Sequence, residues 1–509
     1  MSAPTSTTSR PWLVRTRNGR VLRRADVPVS SIEVFRGALL ERVAAGCRIA
    51  ALFGAKGRTD GVDLWAVLAD DHAGTLELAL TNVTSGSYAS LTPECPQAHL
   101  FEREIFELWG ITPVGHPWLK PVRFVRNAKA DVASASPTVG VMDFYRVEGD
   151  EIHEVAVGPV HAGVIEPGHF RFQCHGEHVF HLEISLGYQH RGVERALLGG
   201  PGKRTLHYME TLAGDTSVGH ASAYCQLVEA LAGDRVPGRA LALRGIALEL
   251  ERMANHTGDL GALAGDVGFL PTASYCGRLR GDFLNLTAVI CGSRFGRGLV
   301  RPGGVGFDLD ADRITTMVQR LDAALEDVEN AAELLWTASS VLSRFENTGF
   351  VSEELAIDLG LVGFAARASG AYRDVRHDHP SGIFRFTKVP VSTARSGDVF
   401  ARAYVRWLEI RRSGRVVREL LQSLPRGAPL ATHGELAPDS VCVSMVEGWR
   451  GEIAHVGITD GRGKLAAYKI VDPSFHNWAG LAMAMRNEQI SDFPICNKSF
   501  DLSYCGHDL

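Results

Sequence analysis

The apolar positions of this chain follow two periods, and the period changes along its length. CRIAALFGAK (Cys47 to Lys56), VDLWAVLA (Val62 to Ala69) and TLELAL (Thr75 to Leu80) are short apolar or alternating runs bounded by Gly, Asp and Thr. Runs of that kind predict strands. HLFEREIFELWGI then sets Phe101, Ile105, Leu108 and Trp109 on one face at helical spacing, with Gly110 placed for a C-terminal cap. The following GHPWLKPVRF holds too many prolines to continue that helix. Strands return in HFRFQC and HVFHLEISL, joined by a polar turn at Gly176 and Glu177. Helical spacing dominates afterwards, over residues 238 to 263 and 313 to 338. In the second, Ile314, Met317, Leu321, Leu325, Val328 and Leu335 form a stripe opposite Asp and Glu, which reads as core. SVCVSMVEG, GEIAHVGITDG and LAAYKIVDP predict a last β-unit.

These elements make the fold class α+β: a small N-terminal α/β module, then a mainly helical part with flanking β-units. Residues 1–29 read as a disordered tail, because short polar termini usually fray. The α/β module spans 30–126. NAKADVASASPTVG (Asn127 to Gly140) is small and polar and reads as the linker. Residues 141–509 form the larger unit. A cut in that linker is expected to release a folded N-terminal domain. No internal repeat or low-complexity tract is visible.

Composition narrows the function. A 509-residue chain has room for two to four domains, and 45% hydrophobic with 22% charged residues is ordinary for a globular protein. The net charge of −5 gives no basic face for nucleic acid. No apolar run reaches the roughly 18 to 20 residues that span a bilayer, so membrane contact is expected through partners. The nine cysteines include no pair at C-x-x-C spacing and read as reduced, buried thiols. The first residues lack an apolar h-region. They contain no acid before Asp26, which superficially suits a transit peptide, but the tail reading is preferred.

Several blocks in a fixed order carry a family resemblance. HLFEREIFELWGITPVGHPWL resembles the signature region of the smaller peripheral-arm subunit of respiratory complex I. GPVHAGVIEPGHFRF, LGYQHRGVE and RPGGV resemble the large subunit of complex I and of energy-converting [NiFe]-hydrogenases. The formate hydrogenlyase large subunit fuses the same two modules in this order. The resemblance covers nearly the whole chain from about residue 30 and implies a hydrogenase/complex I large-subunit fold for residues 141–509. Activity is a separate question.

The resemblance also implies where a site should be. A hydrogenase ends its fold with D-P-C-x-x-C, and an earlier C-G-x-C-G-x-x-H supplies the other two thiolates. Here the corresponding positions are Ala213 and Thr216 in AGDTSVGH, and Ser503 and Gly506 in DLSYCGHDL; only the histidine, His220, remains. Nickel and iron need thiolate ligands, and serine cannot replace them at neutral pH. Cys505 has no partner at the required spacing, and Cys225 reads as a helix-packing residue. In complex I a loop histidine and a tyrosine approach the quinone headgroup. His161 and His169 are the candidate histidines, while the tyrosine position, just after Asp215, falls on Thr216, with Tyr224 off register. In HRGVE, the resemblance puts His190 and Arg191 near a partner's iron–sulfur cluster and Glu194 on a proton route. The bland alternative is an Arg191–Glu194 structural ion pair. Asp374 and Arg376 in RDVRHDHP either line the cavity or only stabilise their loop. Asp501, Ser503 and Cys505 complete the expected lining.

CHGEHVFH places Cys174, His175, His178 and His181 on a hairpin. His175 and His178 can be cross-strand neighbours, yet no carboxylate is evident to orient them, and solvated strand histidines are preferred to zinc. No strand-linked G-x-G-x-x-G, Walker loop, G-x-S-x-G or H-E-x-x-H occurs, and no cysteine set for an iron–sulfur cluster. The expectation is a large subunit of a complex I-like membrane oxidoreductase without a Ni–Fe centre. It would bind no cofactor itself beyond a quinone, take electrons from a [4Fe-4S] partner subunit, and sit with antiporter-like membrane subunits on the cytoplasmic side of the inner membrane. A non-catalytic scaffold and a functional hydrogenase are the alternatives.

Overall fold

The computed structural model describes residues 12–127, 137–163 and 165–509. Three strands predicted from apolar runs, β4 (Arg48–Lys56), β5 (Val62–Asp70) and β6 (Thr75–Val83), pair antiparallel. Earlier residues extend this sheet: β1 (Val14–Thr16) adds antiparallel to β6, and β3 (Val29–Ser30) lies parallel to it. The strand β2 (Val21–Arg23) instead pairs with β10 (Ser440–Glu447), over four hundred positions away. The disordered tail expected over 1–29 is therefore corrected for residues 12–29. Hydrogen bonds the sequence does not display hold this segment: the buried Asn18 amide donates to the His379 and Met445 carbonyls at 2.7 and 2.8 Å.

Helix α1 (Ile32–Ala44) starts at Ser31, whose hydroxyl caps Val34 N–H. Helix α2 (His99–Trp109) ends at Gly110 with φ of 65°, the left-handed cap that its position predicted. Its apolar face packs as expected, but Glu102, Glu104 and Glu107 are buried too. Glu102 accepts from Leu91 N–H and the Thr92 hydroxyl at 2.8 and 2.6 Å, and Glu104 binds Lys469 of β12 (Leu465–Val471) at 2.6 Å. Glu104 thus ties α2 to the large module, while Glu102 and Glu107 bond within the N-terminal one.

The two modules share a core. Val441, Met445, Val456, Val471 and Phe475 from the C-terminal unit join the apolar cluster built by Ile49, Trp65, Leu78 and Phe101. Strand β4 packs against both α2 and β12. A unit separable at 127–140 is corrected accordingly, because its core is completed from residues 441–475; residues 128–136 of that linker lie outside the described residues. A fragment ending at Asn127 is expected to lack a cooperative thermal transition by circular dichroism. A sharp transition comparable to that of the full chain would contradict the shared core.

The large module contains a three-stranded sheet of β7 (Ile152–Val157), β8 (His169–His175) and β9 (His178–Ser185), with β8 central. His175 and His178 are cross-strand partners as anticipated, and Glu151 supplies the carboxylate that was not evident, 2.6 Å from His175 Nε2. Helices α3 (Ser217–Ala232), α4 (Gly238–Asp266), α5 (Leu270–Cys291), α6 (Ala311–Thr337) and α7 (Val399–Gln422) form the helical mass, with α4 packed on both α5 and α7. A Cβ at Gly261 would lie 2.8 Å from Cys276 Cβ, so glycine there sets the α4–α5 approach. The α6 stripe is core, with Met317, Leu321, Val328 and Leu335 fully buried. Strands β10, β11 (Glu452–Thr459) and β12 form an antiparallel meander. Helix α8 (Pro473–Ala484), capped by Asp472, α9 (Phe493–Phe500) and the short α10 (Tyr504–Asp508) close the fold. No helix among the described residues is long and apolar enough to cross a membrane.

Candidate functional site

Three segments far apart in sequence meet where the resemblance puts the site: the β7–β8 loop, the turn entering α3, and the C-terminal stretch Asp501–Leu509. Arg450 is the pivot. Buried against the Trp449 ring at 3.9 Å, its guanidinium donates to both oxygens of Asp215 at 2.6 and 2.8 Å and to the Asp501 carbonyl. Its pKa is raised by Asp215 against the opposing effect of burial. The Thr216 hydroxyl accepts from Trp449 Nε1 at 3.1 Å and donates to Asp215 at 3.1 Å. Ser503 Oγ accepts from Gly506 N–H at 2.9 Å as the cap of α10, and Ser503 N–H donates to Ser474 Oγ at 2.8 Å. His220 is fully buried, 3.0 Å from Asp472 and 3.2 Å from His455, which in turn meets Tyr468 at 2.9 Å.

Those bonds decide the fit of a Ni–Fe centre. Thr216, Ser503, Ala213 and Gly506 stand at the four positions where the resemblance puts thiolates. Both hydroxyls are engaged by protein donors, and a Cβ at Gly506 would sit 2.7 Å from the Asp472 carboxylate. The one nearby thiol, Cys505, is pushed up to about 11 by burial and by Glu166, which keeps it protonated. The residues do not fit the group. Thr216, Ser503 and His220 are each buried there and hydrogen-bonded to other protein groups.

Sequence reasoning missed Glu166, which accepts from Tyr504 N–H at 3.1 Å and ties the β7–β8 loop to the C-terminal stretch. It lies within the block GPVHAGVIEPGHFRF, but nothing in its spacing announces the contact. His161 in the same loop is held by the Gly168 carbonyl at 2.8 Å. His169 is buried at the start of β8, 3.2 Å from the Gly158 carbonyl, and its Nε2 has no partner among the described residues.

HRGVE differs from the ion-pair alternative. Arg191 donates to the carbonyls of Thr211, Leu212 and Cys505 at 2.6, 2.9 and 2.8 Å, and is exposed. Glu194 turns elsewhere, 3.2 Å from Lys469 and accepting from Ile470 N–H at 2.8 Å. His190 Nδ1 lies 2.7 Å from the Asp508 carbonyl, and burial lowers its pKa. Arg191 thus stitches the turn before α3 to the C-terminal stretch while its charge has no carboxylate partner among the described residues.

Beneath the junction, α4 and α7 carry a buried ionic chain. Burial opposes ionisation of Asp501, but Lys498 at 2.8 Å and Arg450 together hold it well below the usual carboxylate range. Its neighbour Asp259 is pushed up by burial and by the Asp501 charge, despite Arg406 at 2.9 Å. Further along, Glu409 binds His256, Arg367 and Arg252, and Arg252 meets Glu249. Arg376 and Asp374 belong here: Arg376 pairs with Glu249 at 2.9 Å and with Asp374 at 2.6 Å. Of the two alternatives for this loop, the bonds of Asp374 match loop stabilisation. Asp374 caps its own loop through Arg376 N–H, whereas Arg376 and Glu447 reach a different cavity of about 390 Å³ beside Gln226, Ile383 and Phe386.

Glu251 of α4 accepts from Val218 and Gly219 N–H at 2.7 and 3.1 Å under the start of α3. Burial outweighs those donors and pushes it up to about 8. The unfolded chain loses this proton near the ordinary glutamate value, while the folded chain keeps it to about 8. Its stabilisation is therefore complete at low pH and is lost as pH rises through that window. Glu251→Gln is expected to be more stable relative to the parent at pH 8.5 than at pH 5, by urea denaturation. A pH-independent difference would contradict the burial.

The chain matches two families: the respiratory-chain NADH dehydrogenase 49 Kd subunit over residues 266–438 and 428–508, and the 30 Kd subunit over residues 55–130. It is 29% identical to formate hydrogenlyase subunit 5 of Escherichia coli over 433 residues, covering 82% of this chain and 76% of that one. With the carbon monoxide-induced hydrogenase of Rhodospirillum rubrum it shares 30% over 350 residues, covering 69% and 97%. With an NADH-quinone oxidoreductase subunit of Dehalococcoides mccartyi the identity is 30% over 349 residues, covering 68% and 95%. Sequence, fold and module order agree: the chain belongs to the complex I 49 Kd and hydrogenase large-subunit family, fused to a 30 Kd-type module, and is a complex I-like, hydrogenase-related oxidoreductase subunit.

Proposed function

We propose that this chain is the redox-coupled large subunit of a membrane-associated complex. It takes electrons from an iron–sulfur partner docked over Arg191 and delivers them to quinone or another acceptor, with no Ni–Fe centre. The observation that carries this reading is the replacement of all four thiol positions by Ala213, Thr216, Ser503 and Gly506, two of them engaged through hydroxyls in a protein network. Arg191 supports the partner assignment, because an exposed guanidinium held only by carbonyls offers its charge to a neighbouring group. Membrane contact would come through antiporter-like subunits on the cytoplasmic side. His161 and Glu194 are the groups assigned to proton movement, the first in the loop beside the C-terminal stretch and the second against Lys469.

The purified protein is expected to contain no stoichiometric nickel and to evolve no hydrogen. One nickel per chain by elemental analysis, retained after chelation, would overturn the metal-free reading. A second reading, a coupling subunit without a redox step of its own, is favoured by the close packing of Thr216, Ser503 and His220. Quinone reduction by the assembled complex that falls in His161→Ala would exclude it.

A further inference from the structure

A second cavity, about 250 Å³, opens at the seam of the two modules between α2, β9 and α8. Its walls are mainly apolar, with Trp118, Leu182, Trp478 and Met483 prominent. Two polar atoms of lining residues have no hydrogen-bond partner among the described residues: Nε1 of Trp478, a residue only 4% exposed, and Nε2 of His181. The Trp478 indole N–H is a buried donor without an acceptor, and leaving such a donor unpaired is costly.

The lining also holds a cation with no direct ion pair, although the Glu107 and Glu183 charges act on it from further away. Arg103 donates to the Lys120 and Pro121 carbonyls at 2.8 and 2.7 Å, and no carboxylate lies within ion-pair distance among the described residues. Burial lowers its pKa to about 10, so it stays charged at neutral pH. Burial, then the Arg103 charge, depress His99 beside it to about 3, which leaves that imidazole neutral. Glu183, the carboxylate of the lining, is taken by Lys120 and by Tyr145 N–H, each at 2.7 Å. Arg486 adds a second, exposed guanidinium. Apolar walls, a cation without a direct ion pair and an unpaired indole N–H together describe a receptor for a small apolar anion.

We propose that this seam cavity binds a small aromatic carboxylate, with its carboxylate at Arg103 and its ring between Trp118 and Trp478. The inference stands independently of the electron-transfer reading above. It is tested by isothermal titration of the full-length protein with benzoate, with benzyl alcohol as the neutral isostere and with inorganic phosphate. Saturable one-to-one benzoate binding is expected, at least about tenfold tighter than benzyl alcohol, with none for phosphate. Arg103→Met should abolish the preference for benzoate over the alcohol, and Arg486→Gln, at an exposed position, should weaken benzoate severalfold. Met483→Trp, which fills the cavity, should remove binding without lowering the melting temperature. Absence of saturable benzoate binding, binding that survives Met483→Trp, or phosphate binding as tight as benzoate would overturn the proposal.

Discussion

Replacing Glu409 by glutamine is expected to lower the unfolding free energy by about 3–5 kcal/mol, the usual cost of removing one partner from a buried ion network. Glu409 is fully buried on α7 and accepts from Arg367 at 2.6 Å, His256 at 3.0 Å and Arg252 at 3.3 Å. The three depress its pKa well below the ordinary value, against the effect of burial. Glutamine keeps the volume but leaves two guanidinium groups facing a neutral amide, with Glu447, Asp374 and Glu249 left to balance them. The exposed pair Arg278–Asp327, at 2.6 Å, is the control. Asp327→Asn should cost under about 1 kcal/mol, because solvent already screens that interaction. Urea midpoints of the two variants and the parent decide it; a Glu409→Gln loss no larger than that of the control would mean the network contributes little.

That network shows where the sequence was silent. The strands at Arg48–Lys56 and Val62–Asp70, the α6 stripe and the Gly110 cap were legible because one local period or one residue type determines them. Buried ion pairs leave no such trace. Glu249, Arg252 and Asp259 sit on α4 as any solvated face would, and only the approach of α7 turns them inward. For the same reason nothing in the spacing of α2 announces that Glu104 is buried against Lys469 of the large module. The N-terminal segment failed differently: edge strands such as Val14–Thr16 and Val21–Arg23 are short and half exposed, so their composition resembles a tail. At the site, the lost thiols were legible because ligand chemistry is carried by residue identity. The bonds of Arg450 to Asp215 and Asp501, and of Thr216 to Trp449, were not, since they join positions far apart in the chain.

Exchange of Arg191 for methionine should lower the reduction potential of the partner's iron–sulfur cluster while the complex still assembles. Arg191 is exposed in this chain, and its charge, held by three carbonyls, has no carboxylate among the described residues to neutralise it. A positive charge beside a reducible anionic cluster favours the added electron, so removing it disfavours reduction. At roughly 5 to 8 Å across a partly buried interface one charge is worth on the order of 1–3 kcal/mol. With about 59 mV per tenfold change for one electron, the expected shift is about 50–130 mV downward. Arg191→Lys keeps the charge and should stay near the parent value. Glu194→Gln should slow proton-coupled turnover with little change in potential, because Glu194 faces Lys469 and Ile470 rather than Arg191. An EPR-monitored redox titration of the assembled complex carrying Arg191→Met is the most direct test that electrons enter over this face. The account predicts the downward shift; an unchanged potential in an assembled complex would contradict it.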